Sequence, residues 1–257
     1  MTGNDGTEFV FVYPKSKDVT GEQQNYMENY IREFETALDA DDFNVTDSDN
    51  YYGNFIDIES FIVHMLSREF FKDVDSWRLS EYLHKERSDK LYLSTVWDFN
   101  LGMGNNNYHY PDDSTPLWAY DSHNSGMALW MQRLMEDPSF RNKVKTKWQT
   151  LRSTVWSDTN LVTFIDNTRN LLDEAAARNF AKWTKVLGRY VWPNRKACRK
   201  NGEAIYCDSF ESAVNEHLKA WILDRAHWID EALKLDPPNS MSKRVPAWVP
   251  AIYFSLF

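Results

Sequence analysis

The sequence predicts an α+β fold dominated by helices, with a small β-hairpin that carries its most suggestive acids. Three observations lead there. Apolar residues recur at three- and four-residue spacing over long stretches. Two short β-prone runs flank the polar turn Glu86-Arg87-Ser88-Asp89. No internal repeat and no Ser- or Pro-rich linker divides the 257 residues, so one large domain is expected.

Glu8–Val12 alternates weakly and suits a short strand. Thr20-Gly21-Glu22-Gln23 has the spacing of a capping box, in which the Thr hydroxyl and the Gln amide each satisfy an open backbone N–H. Tyr26, Met27, Tyr30, Ile31, Phe34, Ala37 and Leu38 then repeat at helical spacing, and the polar stretch from Asp39 to Asn50 ends that helix. Asp57 is a good N-cap for a second helix that buries Ile58, Phe61, Ile62, Met65, Leu66 and Phe70. Lys72-Asp73-Val74-Asp75-Ser76 breaks the pattern. Leu79–Lys85 and Lys90–Trp97 read as the hairpin strands, with Asp98-Phe99-Asn100 at their exit. Gly102–Gly126 reads as irregular. Helical spacing returns in Ala128–Met135, Phe140–Val155, Leu161–Leu187 and Phe210–Leu235. The tail 236–257 is assigned no element.

Composition narrows the function. A formal net charge of −9 repels a phosphate polymer, so nucleic acid is not an expected partner. The densest basic run, Arg195-Lys196 with Arg199-Lys200, reads as a solvated loop. No apolar run approaches the roughly 18 residues of a membrane span, and Pro250 interrupts the apolar end Ala247–Phe257. Met1–Gly6 has neither the basic start nor the apolar stretch of a signal peptide. Cys198 and Cys207 flank Asn201-Gly202, a strong hairpin-turn signal. A disulfide there fits an oxidising compartment; two separate buried thiols are the alternative. The six His show no zinc-hydrolase spacing, and His64 reads as a helix-flank residue. Tyr108, Tyr110, Trp118, Tyr120 and Trp130 either stack on sugars or peptides or pack the core.

The chemistry-bearing pair is Asp75 and Asp98. They lie 23 residues apart, about what two strands and a turn require, and a hairpin returns the chain to its start. One acid before a hairpin and another just after it is how protein kinases place their base and their metal ligand. A carboxylate beside an acceptor hydroxyl orients it and takes its proton, while a second binds Mg²⁺, which prefers hard oxygen ligands. From spacing alone the pair equally fits a turn cap and a hairpin closure, because the chain holds 38 acidic residues.

Several motifs add a resemblance. Phe55-Ile56-Asp57-Ile58-Glu59-Ser60-Phe61-Ile62 resembles the helix start before the catalytic loop in the CotH kinase family. Arg68-Glu69-Phe70-Phe71, Asp75 and Ser80-Glu81-Tyr82-Leu83 resemble that family's acid-plus-SxYL run. Val96-Trp97-Asp98-Phe99-Asn100-Leu101-Gly102-Met103-Gly104 is similar to its GPxWDFDxxxG signature. Asn100 stands where many members have Asp, and Ser94-Thr95-Val96 replaces a Gly-Pro step. The resemblance implies a single CotH-like domain over 1–257, the C-terminal lobe of an atypical protein kinase. Its N-terminal nucleotide-clamping lobe is expected to be missing or truncated, since little strand pattern precedes Asp57.

The resemblance further implies Asp75 as the catalytic acid and Asp98 and Asn100 as metal ligands. ATP with Mg²⁺ or Mn²⁺ would be the cofactors, and Ser or Thr of a secreted, cell-surface or spore-coat protein the acceptor. Glu69 and Ser80 fall on motif positions, where packing or hydrogen bonding is an equal reading. The alternative from another class is a non-catalytic coat or surface protein that uses this fold for assembly or adhesion.

Overall fold

The computed structural model describes residues 1–107, 115–124 and 126–234, together with the backbone of 252–255. The elements in chain order are β1 (Phe9–Tyr13), α1 (Gly21–Asp39), α2 (Ile58–Phe71), β2 (Tyr82–Lys85), β3 (Leu91–Leu93), α3 (Met127–Glu136), α4 (Pro138–Arg152), α5 (Asp158–Lys182), β4 (Cys198–Lys200), β5 (Glu203–Ile205), α6 (Phe210–Ser212), a π-helical stretch (Ala213–Lys219), α7 (Ala220–Ala232) and β6 (Ile252–Ser255). The α+β expectation holds, with helices in the majority. Tyr108 and Tyr110 lie outside the described residues. Within the described residues, no helix is long and apolar enough to cross a membrane.

Local chemistry sets the helix starts. At α1 the Gln23 N–H donates to Thr20 Oγ1 at 3.2 Å and the Thr20 N–H to Gln23 Oε1 at 2.9 Å, the reciprocal cap the sequence predicts. Asp57 caps α2 by accepting the Ser60 N–H at 2.8 Å. Asp137 caps α4 through the Ser139 and Phe140 N–H groups, and its other role is tertiary: it accepts the buried Tyr52 hydroxyl at 2.7 Å. Buried apolar faces of α1, α2, α3, α4 and α7 then share one core, in which Phe34 meets Trp130 edge-on at 5.1 Å and Phe70 meets Trp148 at 5.5 Å. Tyr120 and Trp130 are buried in it, so they pack the core and offer no stacking platform.

The sheet is larger than a hairpin. Its order is β1-β6-β2-β3, with β6 parallel to both β1 and β2 and with β2 antiparallel to β3. The hairpin itself is shorter than the predicted Leu79–Lys85 and Lys90–Trp97. Ser80 takes a left-handed backbone (φ 56°), which keeps residues 79–81 out of the ladder. On the other side Ser94–Trp97 runs exposed beyond Leu93. The tail strand β6 was not legible, because four residues without a turn signal carry no periodicity.

Two helical expectations shift. The Leu161 helix stops at Lys182, and the predicted Phe210–Leu235 helix contains the seven-residue π stretch. The cysteine expectation resolves to a bond: Cys198 and Cys207 form a disulfide, Cα atoms 5.0 Å apart. Between them Asn201 (φ 52°) and Gly202 (φ 85°) make the turn that joins β4 to β5.

One buried acid ties α1 to α3. Glu35 accepts the Trp130 Nε1–H at 3.0 Å and the Asn4 N–H at 2.5 Å, and burial pushes its carboxyl from 4.5 up to about 7. Between those values the folded chain holds a proton that the unfolded chain releases, so stability falls as pH rises through that window. Thermal melts at about pH 5 and about pH 8 are expected to show a higher midpoint at the lower pH, and a Glu35→Gln variant a smaller difference.

Candidate active site

The site is built around the C-terminal half of α2. Arg68 and Glu69 are neighbours in the chain and both are wholly buried. Each must therefore find its counter-charge inside the protein, since an unpaired buried charge is prohibitive. They do so on different flanks of the helix. Arg68 pairs through Nε with Glu81 Oε1 at 3.0 Å, and donates from Nη2 to the Ser80 carbonyl at 2.5 Å and from Nη1 to the Trp97 carbonyl at 2.9 Å. It thereby clamps the residues entering β2 to those leaving the hairpin. Its guanidinium also lies 4.8 Å from the Phe99 ring centroid.

Glu69 faces the other flank. Its carboxylate accepts the Trp77 Nε1–H at 2.7 Å, the Ala119 N–H at 2.7 Å, the Tyr120 N–H at 3.1 Å and Arg225 Nη2 of α7 at 3.2 Å. Burial pushes this carboxyl upward, against the pull of Arg225 and those donors. Of the two readings left open for Glu69, the structure supports hydrogen bonding and packing. His64 departs from expectation: it is buried, not flanking, with Nε2 2.5 Å from Glu81 Oε2. The Met65-Leu66 side of α2 is only part of its buried face, because Trp77 and Glu81, in the segment before β2, lie against His64.

Asp75 sits half-buried in the loop after α2. Its Oδ1 accepts Arg78 Nη2 at 2.8 Å, and its carbonyl accepts the Leu79 N–H at 2.7 Å. Asp98 is exposed at the hairpin exit with φ 65°, and its Oδ2 accepts the Ser80 hydroxyl at 3.3 Å. Ser80 is thus a hydrogen-bonding partner of Asp98. Asn100 is exposed two residues on, its carbonyl accepting Asn105 Nδ2 at 3.0 Å.

The backbone here is strained. Lys72, Trp77, Ser80, Asp98 and Met103 all adopt positive φ, at roughly 1–2 kcal/mol each for residues with a Cβ. Such conformations persist only where surrounding bonds over-determine them, and they cluster at functional sites.

Sequence reasoning passed over Asp73. It is buried, it accepts the Asp75 N–H at 2.9 Å and the Leu101 N–H at 3.0 Å, and burial pushes its carboxyl up to about 6. The signal was present as an Asp in the helix-breaking run, but its neighbour Asp75 carried the motif. Within the described residues no three His, Cys, Asp or Glu stand grouped to hold a metal ion. A kinase-type Mg²⁺ needs only one or two protein carboxylates, the remaining ligands being water and phosphate oxygens. Asp98 and Asn100 carry hard oxygens of that kind, which suit such an ion chemically.

Sequence comparison settles the relationship. The family model described as CotH kinase protein matches residues 3–229. The chain belongs to the CotH kinase family. No curated protein and no solved structure matches it. The matched span contains both acid-bearing loops, α2 and most of α7, and it ends before β6.

Within this CotH family member the Glu69–Arg225 pair joins the acid-bearing loop region to the helical core. Glu69→Ala removes the buried carboxylate that Arg225 and the Trp77, Ala119 and Tyr120 N–H groups all bond, and is expected to cost about 3–5 kcal/mol in urea unfolding. The double replacement Glu69→Leu with Arg225→Met is expected to recover little of that loss, because the Trp77, Ala119 and Tyr120 N–H groups and the Thr115 and Leu117 carbonyls lose their partners as well.

Proposed function

We propose that this chain is the kinase-like C-terminal lobe of a CotH protein kinase and transfers phosphate from ATP to a Ser or Thr hydroxyl on a secreted, cell-surface or spore-coat protein. The observation that carries the reading is the mutual anchoring of the Asp75 and Asp98 loops on α2, in a chain whose family is that of CotH kinases.

In this reading Asp75 receives the acceptor hydroxyl as hydrogen-bond acceptor and takes its proton, an effect worth roughly 10²–10⁴ in rate. Arg78, bonded to one carboxylate oxygen, orients the group and leaves the other oxygen for the hydroxyl. Asp98 and Asn100 would hold Mg²⁺ or Mn²⁺. When bound, that ion neutralises charge on the transferred phosphoryl oxygens. Ser80 fixes the Asp98 rotamer through its 3.3 Å bond, and Arg68 fixes the backbone on either side. ATP contacts from an N-terminal lobe belong to this proposal as well. The Cys198–Cys207 disulfide supports an oxidising destination.

A second reading is favoured by one specific observation. Helix α5 exposes Phe164 and Leu171, and the loop after it exposes Trp192. Exposed apolar groups of this size suit an assembly or adhesion role without catalysis.

Asp98→Ala is expected to abolish metal-dependent phosphorylation of a Ser/Thr-containing test protein. Radiolabel transfer from ATP measures it, and an unchanged rate refutes the role of Asp98. Calorimetry with Mg²⁺-ATP separates the two readings: heat of binding supports the kinase, and none supports the scaffold.

A further inference from the structure

We propose that Asp73 is a positioning residue, whose buried carboxylate sets the spacing between the loop of Asp75 and the loop of Asp98. The inference rests on the phosphoryl-transfer reading above.

Lys72 closes α2 in the left-handed conformation, φ 46°, with its N–H bonded to the Arg68 carbonyl at 2.8 Å. That turn directs the next side chain inward, and Asp73 is 1% exposed. One carboxylate oxygen takes the Asp75 N–H and the other takes the Leu101 N–H. Two donors converging on one short side chain require an acceptor at both ends. A carboxylate supplies this, whereas an Asn amide would turn an NH₂ toward one of the N–H groups. Hydrogen bonds to an ionised acceptor are about twice as strong as neutral ones, so the tie is stiff.

The backbone around it makes the same seam. The Met103 N–H donates to the Phe71 carbonyl at 2.7 Å. A Cβ on Gly102 would fall 2.9 Å from that carbonyl oxygen and 3.6 Å from Asp73 Cα, so only glycine lets the chains approach this closely. Phe71 and Phe99 meet edge-on at 5.0 Å above it. Asp98 is therefore bracketed. Arg68 holds the residue before it, and Asp73 holds the backbone three residues after it. Asp75 is held by the same Asp73 carboxylate. A group that orients ligands from behind in this way typically changes metal affinity about 10–100-fold when removed.

The test uses the full chain, with Mn²⁺ as probe and ATP present, and reads free Mn²⁺ by electron paramagnetic resonance. Asp98→Ala is expected to abolish ATP-dependent Mn²⁺ binding; if it does not, the phosphoryl-transfer reading itself fails. With that established, Asp73→Asn is expected to weaken Mn²⁺ binding about 10–100-fold while remaining folded by circular dichroism. Glu35→Gln, which alters a buried carboxyl elsewhere, is expected to bind Mn²⁺ as the unmodified chain does. Folded Asp73→Asn with unaltered Mn²⁺ affinity overturns the inference, as does an equal loss in Glu35→Gln. Amide exchange in the unmodified chain gives an answer that does not depend on any variant folding. The Asp75 and Leu101 amides should both be protected, and rapid exchange at either one overturns the tie.

Discussion

Two adjacent buried charges of opposite sign organise this protein. Arg68 and Glu69 point about 100° apart around α2, as consecutive helical residues must. Neither reaches water. Arg68 is satisfied only if the hairpin comes to it, bringing Glu81, Ser80 and Trp97. Glu69 is satisfied only if α7 and the 115–120 segment come to it, bringing Arg225 and the Ala119 and Tyr120 amides. The helix thus acts as an axle with the sheet on one flank and the helical core on the other. Such pairs add little net stability over apolar substitutes, but a missing partner is heavily penalised. Their contribution here is to fix which elements meet.

That constraint explains why the acid-bearing loops can tolerate strained backbone. Positive φ at Ser80 and Asp98 would relax in a free loop. Here the Ser80 and Trp97 carbonyls are both taken by one wholly buried guanidinium, so relaxation would break charge-assisted bonds that Arg68 has no solvent to replace. The rigidity needed to hold two carboxylates in place comes from charges that do not touch the site's open side.

Much of this was legible in the sequence where a local rule applied. The Thr20 and Asp57 caps, the Asn201-Gly202 turn and the hairpin turn at Glu86–Asp89 each follow from a few consecutive residues, and each appears in the structure, the hairpin with shorter strands than expected. The misses share a cause: their partners are distant in the chain. Glu69 finds Arg225 of α7, and His64 finds Glu81, and no pattern in either segment announces the other. A charged residue on a helical face reads as solvated until its cover is known. Asp73 was hidden differently, because its role is to accept backbone N–H groups, and any short polar side chain in a helix-breaking run looks alike in sequence. Ser94–Trp97 has the composition of a strand but extends no ladder among the described residues, which composition does not reveal.

The central position of β6 has a consequence for biogenesis. Its two neighbours belong to the first hundred residues, yet the strand between them is drawn from 252–255. During synthesis the helices can gather as they emerge, whereas the sheet has to wait with an open slot. Until it is filled, β1 and β2 each present an unpaired edge, the kind of template that invites pairing with a foreign strand. Such a protein depends on reaching residues 252–255 promptly, and a ribosome stalled just before them would leave a nascent chain unusually prone to aggregate.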